Sequence, residues 1–108
     1  MGKSAASIKD RKRRAAVFKA LGHPARLQIV EELASGERCV CELVELAGLG
    51  WSAVSRHLAV LKAAGVLEDD KRGLKVFYRL ALPCVKSFTD CLDAARKGES
   101  VEVRRCCS

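Results

Sequence analysis

No run of apolar residues in this chain approaches the roughly 20 that a membrane span requires, which excludes a transmembrane helix. The N-terminus is polar, with no apolar segment ahead of a cleavage site, so no signal peptide is expected. Internal repeats are absent, and so are a Cys-x-x-Cys pair and a glycine-rich phosphate cradle, which argues against a thiol-dependent reductase. The expected compartment is the cytoplasm, where thiols stay reduced. Six cysteines therefore call for a reason other than structural disulfides. They cluster as Cys39/Cys41, Cys84/Cys91 and Cys106/Cys107, a pattern that suits metal or redox chemistry.

What is present fits one small domain. The chain has 108 residues, 49% hydrophobic and 31% charged, ordinary proportions for a globular protein. A core of this size is modest, and dimerisation would enlarge it. The net charge of +7 favours a polyanionic partner. Basic clusters stand at residues 9–14, 71–75 and 104–105, each equally readable as a solvated face or tail.

Apolar residues recurring at helical spacing predict a helix over residues 10–21 and a second opening at Pro24, with Leu27, Val30 and Leu33 on its stripe. A third helix is expected over residues 39–47, with Val40, Leu43, Leu46 and Ala47 facing inward. Gly48-Leu49-Gly50 forces a tight turn. Ser52 is the expected cap of a fourth helix that runs to about residue 64, with Val54, Leu58 and Leu61 inward. The period then changes. Residues 66–69 and 74–80 read as two strands joined by the polar turn 70–73, and Pro83 opens a last helix to about residue 97. The fold class is thus mainly α with a small β-hairpin (α+β), a winged helix-turn-helix in the order ααααββα. Residues 1–9 are expected to be a disordered N-terminus, 10–97 the domain, and 98–108 a basic, cysteine-containing tail.

Two helices joined by a short glycine-containing turn, followed directly by a basic hairpin, are more specific together than either part alone. The major groove of double-stranded DNA admits a helix, entered by the N-terminal residues of the second helix of such a unit. On the fourth helix, Ser52 and Arg56 point away from the core, with Ala53 and Ser55 flanking them. Small residues allow close approach, and Arg56 suits guanine or phosphate. His57 lies nearer the core edge and fits either a DNA contact or a hydrogen bond holding the helix. Trp51 fits packing between the two helices or a place on the sugar-phosphate backbone. In the hairpin, Lys71, Arg72 and Lys75 are candidates for phosphate contacts, which give affinity and salt dependence rather than sequence choice.

These residues resemble a known family. Phe18-Lys19-Ala20-Leu21-Gly22-His23-Pro24-Ala25-Arg26-Leu27 resembles the opening signature of the ArsR/SmtB repressors. Ser52-Ala53-Val54-Ser55-Arg56-His57-Leu58 resembles their recognition helix, and Arg72-Gly73-Leu74-Lys75-Val76-Phe77-Tyr78 their wing. The similarity spans roughly residues 12–95. It implies a homodimer joined by its first and last helices, a palindromic operator, and release of DNA by an effector. Trp51 departs from the glutamine found there in many members.

Cys39-Val40-Cys41 is similar to the Cys-Val-Cys motif of arsenite- and antimonite-responsive members, which implies As(III) or Sb(III) as effector. The chemistry agrees, because soft thiophilic ions select thiolates. Positions two apart on a regular helix point about 200° from each other, so the expectation is that both sulfurs meet only if the helix start unwinds. Two small buried cysteines are the other reading of the pair. Some members carry a third cysteine one turn later, where this chain has Val44. Cys106 and Cys107 are the candidate additional metal ligands or a second site, and an exogenous thiol is another choice. Cys84 and Cys91 stand two turns apart, about 10 Å, too far for one ion. Zinc and nickel sensors of the family use histidines on the last helix, and the only histidines here are His23 and His57. Cadmium and lead sensors recruit cysteines ahead of the pair, and none precedes Cys39. A cadmium- or lead-responsive repressor and a thiol-based redox sensor of the same fold stand as alternatives.

Overall fold

A computed structural model describes residues 7–98. The elements are α1 (Ile8–Leu21), α2 (Pro24–Ala34), β1 (Arg38–Cys39), α3 (Val40–Ala47), α4 (Trp51–Ala63), β2 (Leu67–Arg72), β3 (Lys75–Leu80) and α5 (Cys84–Arg96). This is the winged helix-turn-helix expected, with one additional short strand. The sheet has three strands rather than two, antiparallel in the order β1-β3-β2.

Helix ends differ from expectation for local reasons. The Ser7 hydroxyl accepts a hydrogen bond from the Asp10 N–H at 3.1 Å, so α1 begins at Ile8 rather than at residue 10. Gly50, not Ser52, is the N-cap of α4, which makes Trp51 its first helical residue. Gly48 closes α3 in the left-handed region at φ 68° and donates its N–H to the Val44 carbonyl at 3.2 Å, so Leu49 and Gly50 are all that separates α3 from α4. The hairpin strands extend further than their apolar residues suggested. Arg72 pairs with Lys75, leaving a two-residue turn, Gly73-Leu74, with Gly73 at φ 63°.

The core draws on every helix. Ile29 and Val30 of α2, Leu43 of α3, Val54, Leu58 and Leu61 of α4, and Val66 after it are almost completely buried. Ala20 and Leu21 close one end and Val85 of α5 another. On α3 the expected stripe is narrower than predicted. Leu43 alone is fully buried, Val40 and Ala47 are half-buried, and Leu46 is exposed. The three core residues of α4 seat that helix with its opposite face in solvent.

Leu61 is 0% exposed, so truncation leaves a cavity that the surrounding side chains fill only in part. Leu61→Ala should lower the unfolding free energy by about 2–5 kcal/mol, read by urea denaturation. A loss within the ~0.5 kcal/mol typical of surface substitutions would contradict this account of the core.

Candidate functional site

Cys39 ends β1 and is also the N-cap of α3, with an extended backbone at φ −80° and ψ 161°. It is 5% exposed, while Cys41, in the first helical turn, is exposed. The structure pairs the two as a disulfide with Cα atoms 5.5 Å apart. The expectation of a helix from residue 39 with an unwound start is thereby corrected. The helix begins at Val40 and stays intact, and the sulfurs converge because Cys39 lies outside it. Glu42 completes the cap: its carboxylate accepts the Cys39 N–H at 3.0 Å. The Arg38 guanidinium lies 3.7 Å from the same carboxylate and donates to the Glu32 carbonyl at 3.3 Å. Among the described residues, no group of three or more His, Cys, Asp or Glu side chains is placed to hold a metal ion. Cys106 and Cys107 lie outside the described residues. Cys84 and Cys91 are free thiols, half-buried on α5. The donor set in view is therefore two thiols, a fit for a thiophilic centre that takes at least two sulfurs.

The thiol pair is joined to the hairpin by main chain. Cys39 is the register partner of Phe77, and Arg38 of Tyr78, so β1 lies directly against the wing strand β3. A cavity of about 350 Å³ opens beside the pair, bounded by Trp51, Ser55 and Leu58 of α4 and by Val76 and Tyr78 of β3.

On α4, Ser52, Ser55 and Arg56 are exposed and Ala53 is half-buried. His57 is half-buried and accepts a hydrogen bond at Nδ1 from Arg26 Nε at 3.3 Å. Arg26 also donates to the Ala20 carbonyl at 3.4 Å, so one α2 arginine ties α4 to α1. The His57 ring lies 4.6 Å from that of His23, whose Nδ1 caps α2 by accepting the Ala25 N–H. Burial holds His57 below its ordinary pKa, and the positive charges of His23, Arg26 and Arg56 push the same way. Trp51 is 57% exposed at the head of α4, with one side on the cavity, rather than packed between α3 and α4.

In the wing, Lys71 and Lys75 are exposed and make no ion pair among the described residues. Arg72 is committed. Its guanidinium donates to both Glu37 oxygens at 2.8 Å and to Asp70 at 2.9 Å, and stands 4.7 Å over the Phe77 ring. The bidentate pair clamps the wing to the turn that leads into Cys39. Sequence reasoning missed this clamp, the Arg26–His57 bond and strand β1. The one available signal was Glu37-Arg38 flanking the cysteine motif with opposite charges.

Apolar surface is left exposed at one place. Phe18 of α1 and Phe88 of α5 meet edge to face with centroids 6.1 Å apart, yet they are 61% and 48% exposed. Leu92 continues the patch along α5.

Comparison with known proteins agrees with this geometry. Residues 23–69 match the family model described as bacterial regulatory protein, arsR family. The HTH-type transcriptional repressor SmtB of Mycobacterium tuberculosis is 45% identical over 65 residues, which cover 60% of this chain and 48% of that protein. The arsenic resistance transcriptional regulator ArsR1 of Pseudomonas putida is also 45% identical over 65 residues, covering 59% of this chain and 51% of its own. The chain thus spans about half the length of these curated relatives. A solution structure from Mycobacterium bovis superposes with a TM-score of 0.76 at 30% identity, covering 89% of each chain. It is described as the homodimeric winged helix-turn-helix DNA-binding domain of a possible ArsR-family transcriptional regulator.

The His57 environment sets a pH dependence. With the folded-state pKa lowered, the unfolded chain binds the proton more readily. Stability is then complete above the ordinary value of 6.5 and falls as pH drops through it toward the folded-state value. His57→Gln should flatten the stability–pH curve between about pH 7 and pH 5, measured by denaturant unfolding at each pH. An unchanged slope would remove His57 from the explanation.

Proposed function

The chain belongs to the arsR family of bacterial regulatory proteins, and from that premise we propose a cytoplasmic homodimeric repressor that leaves operator DNA when arsenite or antimonite binds Cys39 and Cys41. The family is one of DNA-binding transcriptional regulators, not of enzymes. One observation carries the effector reading: the two sulfurs converge at the residue where the strand paired to the wing becomes the first helix of the reading unit. Two opposed sulfurs on a continuous helix would offer no such site.

When bound, trivalent arsenic or antimony supplies a soft centre that thiolates select. Cys39 holds one side and moves with β1, and through the register with Phe77 it bears on the wing. Cys41 holds the other side and moves with α3, which the short Leu49-Gly50 link connects to α4. A third sulfur comes from Cys106 or Cys107 or from an exogenous thiol. Binding favours the conformation in which wing and α4 no longer match the DNA surface, and it shifts the population by its differential affinity. A coupling of about 1–3 kcal/mol weakens DNA binding roughly 5- to 150-fold. His23 and His57 lie off α5, so the chain lacks the last-helix histidines of a zinc or nickel site, although one of the similar relatives is an SmtB repressor.

Ser52, Ala53, Ser55 and Arg56 form the groove-facing side of α4, His57 steadies the helix from its inner edge, and Lys71 and Lys75 reach phosphates. Arg72 serves the clamp first and the DNA at its exposed edge. The partner subunit covers Phe18, Phe88 and Leu92, which joins the dimer through α1 and α5 and removes an apolar surface that water disfavours.

The Cys39–Cys41 disulfide favours a second reading, in which oxidation of the pair alone releases DNA. Operators selected from a random-sequence library and followed by fluorescence anisotropy separate the two readings. In the phosphine-reduced protein, arsenite should release DNA. Retained binding at saturating arsenite, with release on mild oxidation, would establish the redox reading instead. Cys39→Ser should bind DNA normally and no longer respond to arsenite; an unchanged response would move the effector site elsewhere. Arg56→Ala should lose about 1–3 kcal/mol of discrimination between operator and a mismatched site. Undiminished discrimination would count against α4 as the reading helix.

A further inference from the structure

We propose that the cavity beside Cys39 and Cys41 receives the organic substituent of a trivalent organoarsenical, an arsenic centre carrying one aryl or alkyl group and two exchangeable oxygens. This rests on the thiolate reading above and narrows its ligand class.

Cys39 and Cys41 form one wall of the roughly 350 Å³ hollow. Facing them are Trp51 and Leu58 of α4 and Val76 and Tyr78 of β3. Leu58 is buried, Val76 and Tyr78 are half-buried, and Trp51 gives the open side an aromatic edge. Inorganic arsenite places nothing apolar against such walls. A monosubstituted arsenical matches the site twice: its two oxygens exchange with the two thiols, and its carbon group enters the hollow. Burial of that group adds hydrophobic free energy that arsenite lacks. Both far walls belong to the reading helix and the wing, so occupancy bears directly on the spacing of the two elements that meet DNA.

The exchange balances. R–As(OH)2 and two Cys–SH give R–As(S–Cys)2 and two waters. Two As–O bonds break, two As–S bonds form, each thiol proton leaves on a departing oxygen, and arsenic remains trivalent. The disulfide of the structure must first open. Two molecules of a low-molecular-weight thiol supply the two electrons and two protons and depart joined as their own disulfide.

The test uses the full chain reduced with a phosphine, titrated with phenylarsine oxide (hydrated to the dihydroxy form) and with methylarsonous acid. An acetylated peptide of residues 38–42 gives the intrinsic preference of the two thiols. Trp51 is the chain's one tryptophan, so its fluorescence reports the hollow directly. The folded chain should prefer the phenyl over the methyl compound by at least ~10-fold more than the peptide does, as expected for burial of an apolar ring. The phenyl compound should also change Trp51 emission more strongly. Val76→Phe, or Ser55→Phe from the exposed opposite wall, should return the preference toward the peptide value. Equal preferences in chain and peptide would overturn the proposal, as would a preference that survives both substitutions. Failure of the reduced chain to bind either arsenical would instead sink the thiolate reading itself.

Discussion

The arrangement depends on the extended backbone at Cys39. One residue there serves two elements. Its main chain belongs to the sheet through the register with Phe77, and the next residue begins α3. An N-cap residue has extended rather than helical dihedrals, so its side chain departs from the helical screw. Two cysteines separated by one residue therefore converge, where on a continuous helix they would oppose each other. Glu42 holds the transition by accepting the Cys39 N–H, and Arg38 lies beside that carboxylate. Had β1 not paired with β3, α3 would be free to extend toward its N-terminus and separate the sulfurs.

From that junction, mechanical links run in two directions. Toward the wing they are the β1–β3 pairing and the Arg72–Glu37 clamp, both acting on the same few residues. A bidentate guanidinium–carboxylate pair adds direction as well as attraction, which matters more here than its free energy, because both partners are partly exposed and screened by solvent. Toward the reading helix the link is α3 and the two-residue connection to α4, with Leu43 and Leu58 buried in the same core. Packed cores of this kind are bistable rather than continuously deformable, so a small displacement at the sulfurs is expressed as a change between arrangements.

How much of this was legible in the sequence varied with the range of the interaction. The helices were visible because Val54, Leu58 and Leu61, or Leu27, Val30 and Leu33, repeat at helical spacing. The wing was visible because the period changes after Gly65. Strand β1 was not, because two residues carry no periodicity and Cys39-Val40-Cys41 reads as well on a helix. The displaced start of α4 has a similar cause. Ser52 is a good cap by composition, but Gly50 is the last residue with extended dihedrals before the helix. The clamp joins positions 35 residues apart and the Arg26–His57 bond positions 31 apart, beyond any local pattern. The cysteine motif was found by its resemblance to a family, whereas its geometry came only from the fold.

The same interactions explain why some conspicuous cations are poor candidates for reading DNA while quieter residues matter. Arg72 and Arg26 are tied to groups of this chain, so any phosphate must compete with partners already in place. Lys71 and Lys75 have no such competition among the described residues, and Arg56 stands alone on the exposed face of α4. Basic charge thus separates into two kinds: cations that hold the wing and helix in position, and cations that a polyanion meets first. An effector that alters the placement of the first kind changes the geometry offered by the second without touching it. This is how a thiol site beside the wing acts on a DNA surface to which it contributes no contact.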